Sequence, residues 1–118
     1  MKFKKKYHNL LVWQKAHKFA IQIYQITKKF PKEEIYGLIS QMRRAAYSVP
    51  ANIVEGQARK SKKELLRFLN IAAASLSEAE YYLELSKDLK YISLKEYKKL
   101  EALRSEVGFL LHRFQLNL

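Results

Sequence analysis

Cationic side chains dominate the central part of the sequence. Two arginines precede Pro50 on a predicted helix, and five further cations fall between positions 59 and 67. Lysine and arginine in such clusters bind nucleic-acid phosphates, because each contact releases condensed counterions. The residues predicted to bind nucleic acid are Arg43, Arg44, Arg59, Lys60, Lys62, Lys63 and Arg67. The alternative interpretation is a solvated lysine-rich face without a ligand.

The position of the lysines favours the binding interpretation. Ser61 and Glu64 are predicted to form a capping box, which places Lys62 and Lys63 in the first turn of a helix. The helix dipole favours acidic side chains at that position, so lysines there oppose local stability. Such a conflict indicates a demand other than stability.

Polar side chains on the flank of the preceding helix indicate a structural role. Pro50 removes a backbone hydrogen bond inside an apolar-periodic segment, which predicts a kink. Buried polar groups near it would need partners, and Arg44 is one candidate. We predict a polar network that fixes the helix register, made of Ser48, Asn52, Glu55, Ser75 and Glu78.

No catalytic or metal-binding constellation accompanies these residues. The three histidines lie on separate segments, and no glutamate pair has the histidine spacing of a di-iron bundle. The sequence also lacks a glycine-rich phosphate loop, an HExxH motif and a nucleophile with its base. A ribonuclease built from one histidine and several lysines would show no motif and stays an alternative. The prediction is a protein that is not an enzyme and needs no metal or cofactor.

Apolar residues recur at three- and four-residue steps in four segments. Pro31 ends the first segment, and Gly56 suits the C-terminal end of the second. The segments "SKKE" (61–64) and "SLKE" (93–96) predict capping boxes at the start of the third and fourth helices. Because the connections are short, the predicted fold class is all-α, an antiparallel up-down-up-down four-helix bundle.

Length and composition bound the class of protein. The 118 residues predict one domain over 1–118, with a short basic tail over about 1–8 that includes Lys2, Lys4, Lys5 and Lys6. A formal charge of +12 favours a polyanionic partner. The absence of cysteine excludes thiol chemistry. No membrane span or signal peptide is predicted, so the default expectation is the cytoplasm.

Several apolar residues lie off the predicted core stripes. Surplus apolar groups of this kind mark contact surfaces, so self-association is predicted. The residues are Ile71, Ala74, Tyr82 and Leu85 on the third helix, Phe19 and Ile26 on the first, and Phe109 on the fourth.

Residues spread over the first three predicted helices carry a resemblance to a known family. They are Val12, Trp13, Gln14, Ala16, Phe30, Pro31, Tyr36, Gly37, Leu38, Gln41, Arg43, Arg44, Ala45, Ala46, Ser48, Asn52, Ile53, Glu55, Gly56, Arg59, Ser61, Glu64, Phe68, Leu69, Ala73, Ser75, Leu76 and Glu78. Together they resemble the four-helix bundle proteins of the ribosomal-RNA intervening-sequence family. The likeness covers roughly positions 3 to 92, and the fourth helix matches only in pattern. Val54 departs from the alanine that the family more often has there.

The resemblance implies a small, basic, oligomeric bundle. Members are encoded within insertions in bacterial large-subunit ribosomal RNA genes and elsewhere in bacterial genomes. A related accessory protein of diversity-generating retroelements forms a pentameric barrel, associates with the reverse transcriptase and binds nucleic acid. The expected partners are therefore further copies of the chain in a homopentamer, RNA or DNA, and a reverse transcriptase or another protein.

Two functional hypotheses follow. The leading one is a non-enzymatic, homo-oligomeric bundle that binds RNA or DNA through phosphates, as an accessory to RNA processing or reverse transcription. The alternative is a protein-interaction scaffold without a nucleic-acid function, whose charge serves an acidic partner or solubility.

Overall fold

A computed structural model describes residues 5–118, which form four α-helices and two short 3-10 helices. The α-helices are α1 (Leu11–Thr27), α2 (Leu38–Gln57), α3 (Lys62–Asp88) and α4 (Leu94–Leu116). The 3-10 helices, Lys6–Asn9 and Lys32–Glu34, precede α1 and α2, and no strand occurs in the described residues. Part of the predicted basic tail, including Lys2 and Lys4, lies outside them.

Neighbouring helices run antiparallel. Ser48 of α2 contacts Ser75 of α3, and Arg44, one turn earlier on α2, contacts Glu78, almost one turn later on α3. The same reversal of order joins α4 to α3 and to α1, in the pairs Glu80–Arg104, Asn70–Gln115, Lys15–Glu106 and Lys29–Glu96. Contacts between α1 and α2 close the ring of helices. The predicted all-α four-helix bundle is confirmed.

The core forms from the apolar face of each helix. On α2 this face is buried from Leu38 to Ile53. One prediction about the core was wrong. Phe19, placed off the stripe of α1, is fully buried at 0% exposure. It lies three residues after Ala16 and four before Ile23, so it shares their face of the helix. Ile26, Tyr82 and Leu85 are half-buried against the core, whereas Ile71 and Phe109 are exposed.

Gly56 was predicted to suit the C-terminal end of α2, but the structure shows that it serves the packing of α2 against α3. It is inside the helix, buried, and its φ is not positive, so it is not a left-handed cap. A Cβ atom built there would lie 2.8 Å from Leu65 Cδ1 and 3.3 Å from Phe68 Cβ. Glycine at this position therefore permits the close approach of α3 to α2. The helix itself is continuous through Pro50.

The two predicted capping boxes differ. Ser61 accepts a hydrogen bond from the Glu64 amide at 3.1 Å, but the Glu64 carboxylate turns to Arg67 instead of the cap. Only half of that box forms. At the start of α4 both halves are present between Ser93 and Glu96.

The Glu96 carboxylate joins the α4 cap to the connection that follows α1, because it accepts hydrogen bonds from Lys29 Nζ and the Ser93 amide. The Lys29 hydrogen bond, followed by the one from Ser93, lowers the pKa of Glu96 below its ordinary value. A carboxyl group with a depressed pKa in the folded state stabilises the protein above its unfolded pKa. That stability is lost as pH falls through the folded pKa.

Replacing Glu96 by Gln is therefore expected to lower thermal stability near neutral pH and to have a shrinking effect in acid. Thermal unfolding followed by circular dichroism between neutral and acidic pH measures the difference. Glu106→Gln, which loses only the longer pair with Lys15 at 3.6 Å, is the matched control. A Glu96→Gln difference that stays constant across this range would contradict the assignment.

Candidate nucleic-acid interface

The antiparallel bundle gathers cations at one of its ends. The start of α1, the end of α2, the start of α3 and the end of α4 meet there, and the first 3-10 helix contacts α2. Two acidic residues, Glu55 and Glu64, lie near the α2–α3 turn at this end. We call this surface the cationic end; its exposed cations are Lys5, Lys6, Arg59, Lys60, Lys62, Lys63, Arg67 and Arg113.

Three lysines of the cationic end carry uncompensated charge. Lys60 lies in the turn between α2 and α3, and Lys62 and Lys63 are in the first turn of α3. All three are exposed, and no carboxylate within residues 5–118 forms an ion pair with them. The two on α3 line a shallow groove together with Arg67, Asn70 and Glu64, whose carboxylate pairs with Arg67. An anion in this groove would also meet the positive end of the helix dipole.

The two arginines of the α2–α3 region are held by an aromatic ring. Arg59 and Arg67 place their guanidinium groups 4.8 Å and 4.4 Å from the centre of the Phe68 ring. Each also pairs with a carboxylate, Arg59 with Glu55 at 3.0 Å and Arg67 with Glu64 at 3.1 Å. The Arg67 hydrogen bond is the main cause of a lowered pKa at Glu64. These arginines are well positioned but partly neutralised.

Arg43 and Arg44 are not at the cationic end. The last residue of α2, Gln57, lies about 20 Å further along the helix axis, from the rise per residue of a helix. Arg43 donates to Thr27 Oγ1 at 2.9 Å and lies over the ring of Tyr24 at 4.6 Å, so it joins α2 to α1.

Arg44 instead joins α2 to α3, through a pair with Glu78 at 2.8 Å. The Glu78 carboxylate also accepts the hydroxyl of Tyr82 at 3.2 Å. Burial, followed by this hydrogen bond to Glu78, raises the pKa of Tyr82 above its ordinary value. Both arginines predicted on α2 are thus engaged in contacts between helices.

The predicted polar network is divided into separate groups. Ser48 and Ser75 hydroxyls lie 2.8 Å apart, and Asn52 Nδ2 donates to the Ser48 carbonyl at 2.8 Å and to its hydroxyl at 3.0 Å. Ser75 is buried, so these bonds satisfy polar groups between α2 and α3. Glu78 belongs to the neighbouring Arg44 group, and Glu55 belongs to neither.

Glu55 faces solvent, with a side chain that is 55% exposed and paired with Arg59 one turn later. Glu55→Ala is therefore expected to change the free energy of unfolding by only about 0.5 kcal/mol or less. The substitution should raise nucleic-acid affinity, because it frees the Arg59 charge. Urea unfolding and oligonucleotide titration measure the two effects. A decrease of several kcal/mol in the free energy of unfolding would contradict this position and support the predicted buried network.

An aromatic cluster at the start of α1 was missed by sequence reasoning. Trp13 and His17 stack with ring centres 4.8 Å apart and an angle of 9° between the planes. Tyr7 meets Trp13 edge-on at 4.9 Å, and His8 lies 5.2 Å from it. The four-residue spacing of Trp13 and His17 could have indicated their stack. No spacing in the sequence indicates that Tyr7 and His8 fold back against Trp13.

Two further properties bear on function. Within residues 5–118, no group of three or more histidine, cysteine or acidic residues is arranged to hold a metal ion. Of the helices in this part of the chain, none combines the length and the apolar character that a membrane crossing requires.

Fold and surface together define a small, basic, all-α four-helix bundle with cations concentrated at one end. The chain belongs to the 23S rRNA-intervening sequence protein family, whose sequence profile matches residues 8–113. That match continues into α4, beyond the region in which the sequence motifs carried the resemblance.

A solved structure from Bacteroides thetaiotaomicron is similar to this chain. It is described as a protein with unknown function from the S23 ribosomal protein family. The two chains are 28% identical and superpose with a TM-score of 0.80. The aligned region covers 89% of this chain and 98% of the other. Among curated proteins, none matches the sequence. Neither the family description nor that of the solved relative names an enzymatic activity.

Proposed function

We propose that this protein is a non-enzymatic, homo-oligomeric bundle that binds RNA or DNA through phosphate contacts at its cationic end. Its role would be that of an accessory to RNA processing or reverse transcription in the cytoplasm. The observation that carries the proposal is the set of lysines at positions 60, 62 and 63, which are exposed and form no ion pair within residues 5–118.

Electrostatics at the cationic end support this function. Within residues 5–118, eight exposed cations lie there and two of them, Arg59 and Arg67, pair with carboxylates, so the local field attracts a polyanion. The N-terminal amides of α3 add partial positive charge beside Lys62 and Lys63. The Phe68 ring holds Arg59 and Arg67 in place, which lowers the entropy cost of ordering them on a phosphate backbone.

Titration of the protein with single-stranded RNA, duplex RNA and DNA at several salt concentrations tests the proposal. Logarithmic affinity is expected to fall linearly with logarithmic salt, with a slope of about 0.7 to 0.9 per phosphate neutralised. Weak binding to all three ligands at physiological salt would contradict it.

Self-association is part of the proposal, and the family resemblance suggests five subunits. Exposed apolar side chains on α3 and α4 offer contact surface, among them Ile71, Tyr81, Phe109 and Leu116. Sedimentation equilibrium at micromolar concentration is expected to show a multiple of the 14.0 kDa chain. A single species of monomer mass would contradict it.

A scaffold for a protein partner, such as a reverse transcriptase, is the second candidate. It is favoured by apolar residues at the end of the bundle opposite to the cationic end, where Tyr36 is 93% exposed beside Ile35, at 53%. Leu89 and Leu94, in and beside the α3–α4 connection, are exposed at the same end. A scaffold would bind none of the three nucleic acids, so the titration above separates the two functions.

A further inference from the structure

The Trp13–His17 stack presents an aromatic surface to solvent. Trp13 is half-buried and covers one face of the imidazole, whereas His17 is exposed. Within the described residues, Trp13 is the only ring that contacts His17. Because His17 is exposed to solvent, its imidazole can take a planar ligand on the side away from Trp13, and a nucleobase has the right shape and π-surface.

Surrounding contacts hold this surface in place. The 3-10 helix Lys6–Asn9 folds back so that Tyr7 packs edge-on against Trp13, with 65° between the ring planes. His8 Nδ1 accepts the Lys5 amide at 3.1 Å, and Gln14 Nε2 donates to the His8 carbonyl at 2.7 Å. Because the rings are already ordered, stacking a base on them costs little conformational entropy.

The stack adjoins the cationic end. Thr27 contacts Arg43 across the antiparallel pair of α1 and α2. Because the two helices are antiparallel, a residue that precedes Thr27 on α1 lies beside one that follows Arg43 on α2 by the same number of positions. Trp13 therefore lies at the height of Gln57, three residues before Lys60. The exposed Lys5 and Lys6 precede the cluster directly. A strand with phosphates on the lysines thus has an aromatic surface beside its path.

We propose that the Trp13–His17 stack binds an unpaired base and makes the protein selective for single-stranded nucleic acid. This inference rests on the proposed function. Lysines contact phosphates of single strands and duplexes alike, but a duplex keeps its bases stacked on one another. Only a single strand can place a base on His17. Because every base has a π-face, the selectivity is for strandedness and not for sequence.

Anisotropy titration with labelled oligonucleotides of about 12 nucleotides tests the inference, using oligo(U) RNA, oligo(dT) DNA and an RNA duplex. His17→Ala is expected to weaken single-strand binding about tenfold and to leave duplex binding unchanged. The salt slope should stay the same, because the imidazole contributes stacking and not a phosphate contact. His17→Phe, which keeps a planar ring, should retain single-strand affinity.

The control variant is His112→Ala, which removes an exposed histidine of α4 outside the cluster and is expected to change neither affinity. Trp13 is the single tryptophan of the chain, so its emission should change on single-strand binding and not on duplex binding. Circular dichroism verifies that each variant is folded.

Two results would overturn the inference while leaving phosphate binding intact. One is a His17→Ala variant with wild-type affinity for single strands, and the other is an equal loss for single strands and duplex. Absence of binding to any oligonucleotide would overturn the proposed function together with the inference, so the two failures are distinguishable.

Discussion

Replacing Lys60, Lys62 and Lys63 together by Gln is expected to weaken nucleic-acid binding on the order of a hundredfold at physiological salt. Each lysine that contacts a phosphate contributes close to one unit of salt dependence, so the slope should fall by roughly two to three. Unrelated sequences should be affected alike, because phosphate contacts carry no sequence information. The fold should be unchanged or slightly stabilised, since Lys62 and Lys63 oppose the α3 dipole.

The matched control removes the same charge from the opposite end of the bundle. Lys95, Lys98 and Lys99 are exposed near the start of α4, so their replacement by Gln also alters the first turns of a helix. We expect a much smaller loss of affinity and little change in slope. Equal losses in the two triple variants would show that net charge matters and the cationic end does not.

Phe19→Ala is expected to destabilise the protein by about 3 to 5 kcal/mol, the usual cost of truncating a buried phenylalanine. Phe19 is 0% exposed, so the substitution removes a large apolar side chain and leaves a cavity between helices. Domains of this size are stable by only about 5 to 15 kcal/mol, so the variant should be close to unfolded at modest urea concentration. Equilibrium urea unfolding followed by circular dichroism measures the difference.

Phe109→Ala is the control for this prediction. Phe109 is 60% exposed, so its truncation should affect the free energy of unfolding of the monomer little. If Phe109 contributes to self-association, the same variant should instead shift the sedimentation equilibrium. A cost below about 1 kcal/mol for Phe19→Ala would place that residue outside the core.

The fold was predictable because apolar periodicity is a strong signal in long helices. Every residue of the α2 stripe is buried, since a helix between two neighbours must turn one continuous face inward. The predicted core face of α1 runs through Ala16, Ala20 and Ile23 and leaves out Phe19, which lies between them in sequence. A helical face is wide enough to hold Phe19 beside them.

The surface was less predictable, because local and tertiary partners compete for the same side chain. Lysines near a turn were recognisable as a cluster from sequence alone. The pair of Glu55 with Arg59 also had a signal in the favourable four-residue spacing, but that spacing does not show whether the pair faces solvent or the core. Likewise, the contacts of the two α2 arginines depend on how the helices pack. Arg43 donates a hydrogen bond to Thr27 of α1, and Arg44 pairs with Glu78 of α3.

The missing side chain at Gly56 couples the electrostatic pattern of the cationic end to the spacing between two helices. Phe68, one of the residues that a Cβ at position 56 would press upon, is also the ring on which Arg59 and Arg67 rest. One of these arginines follows α2 and the other belongs to α3, so the distance between their charges is set by how closely the helix axes approach. A bulky neutral residue at position 56 would therefore rearrange the positive charges that a polyanion meets without adding or removing any of them.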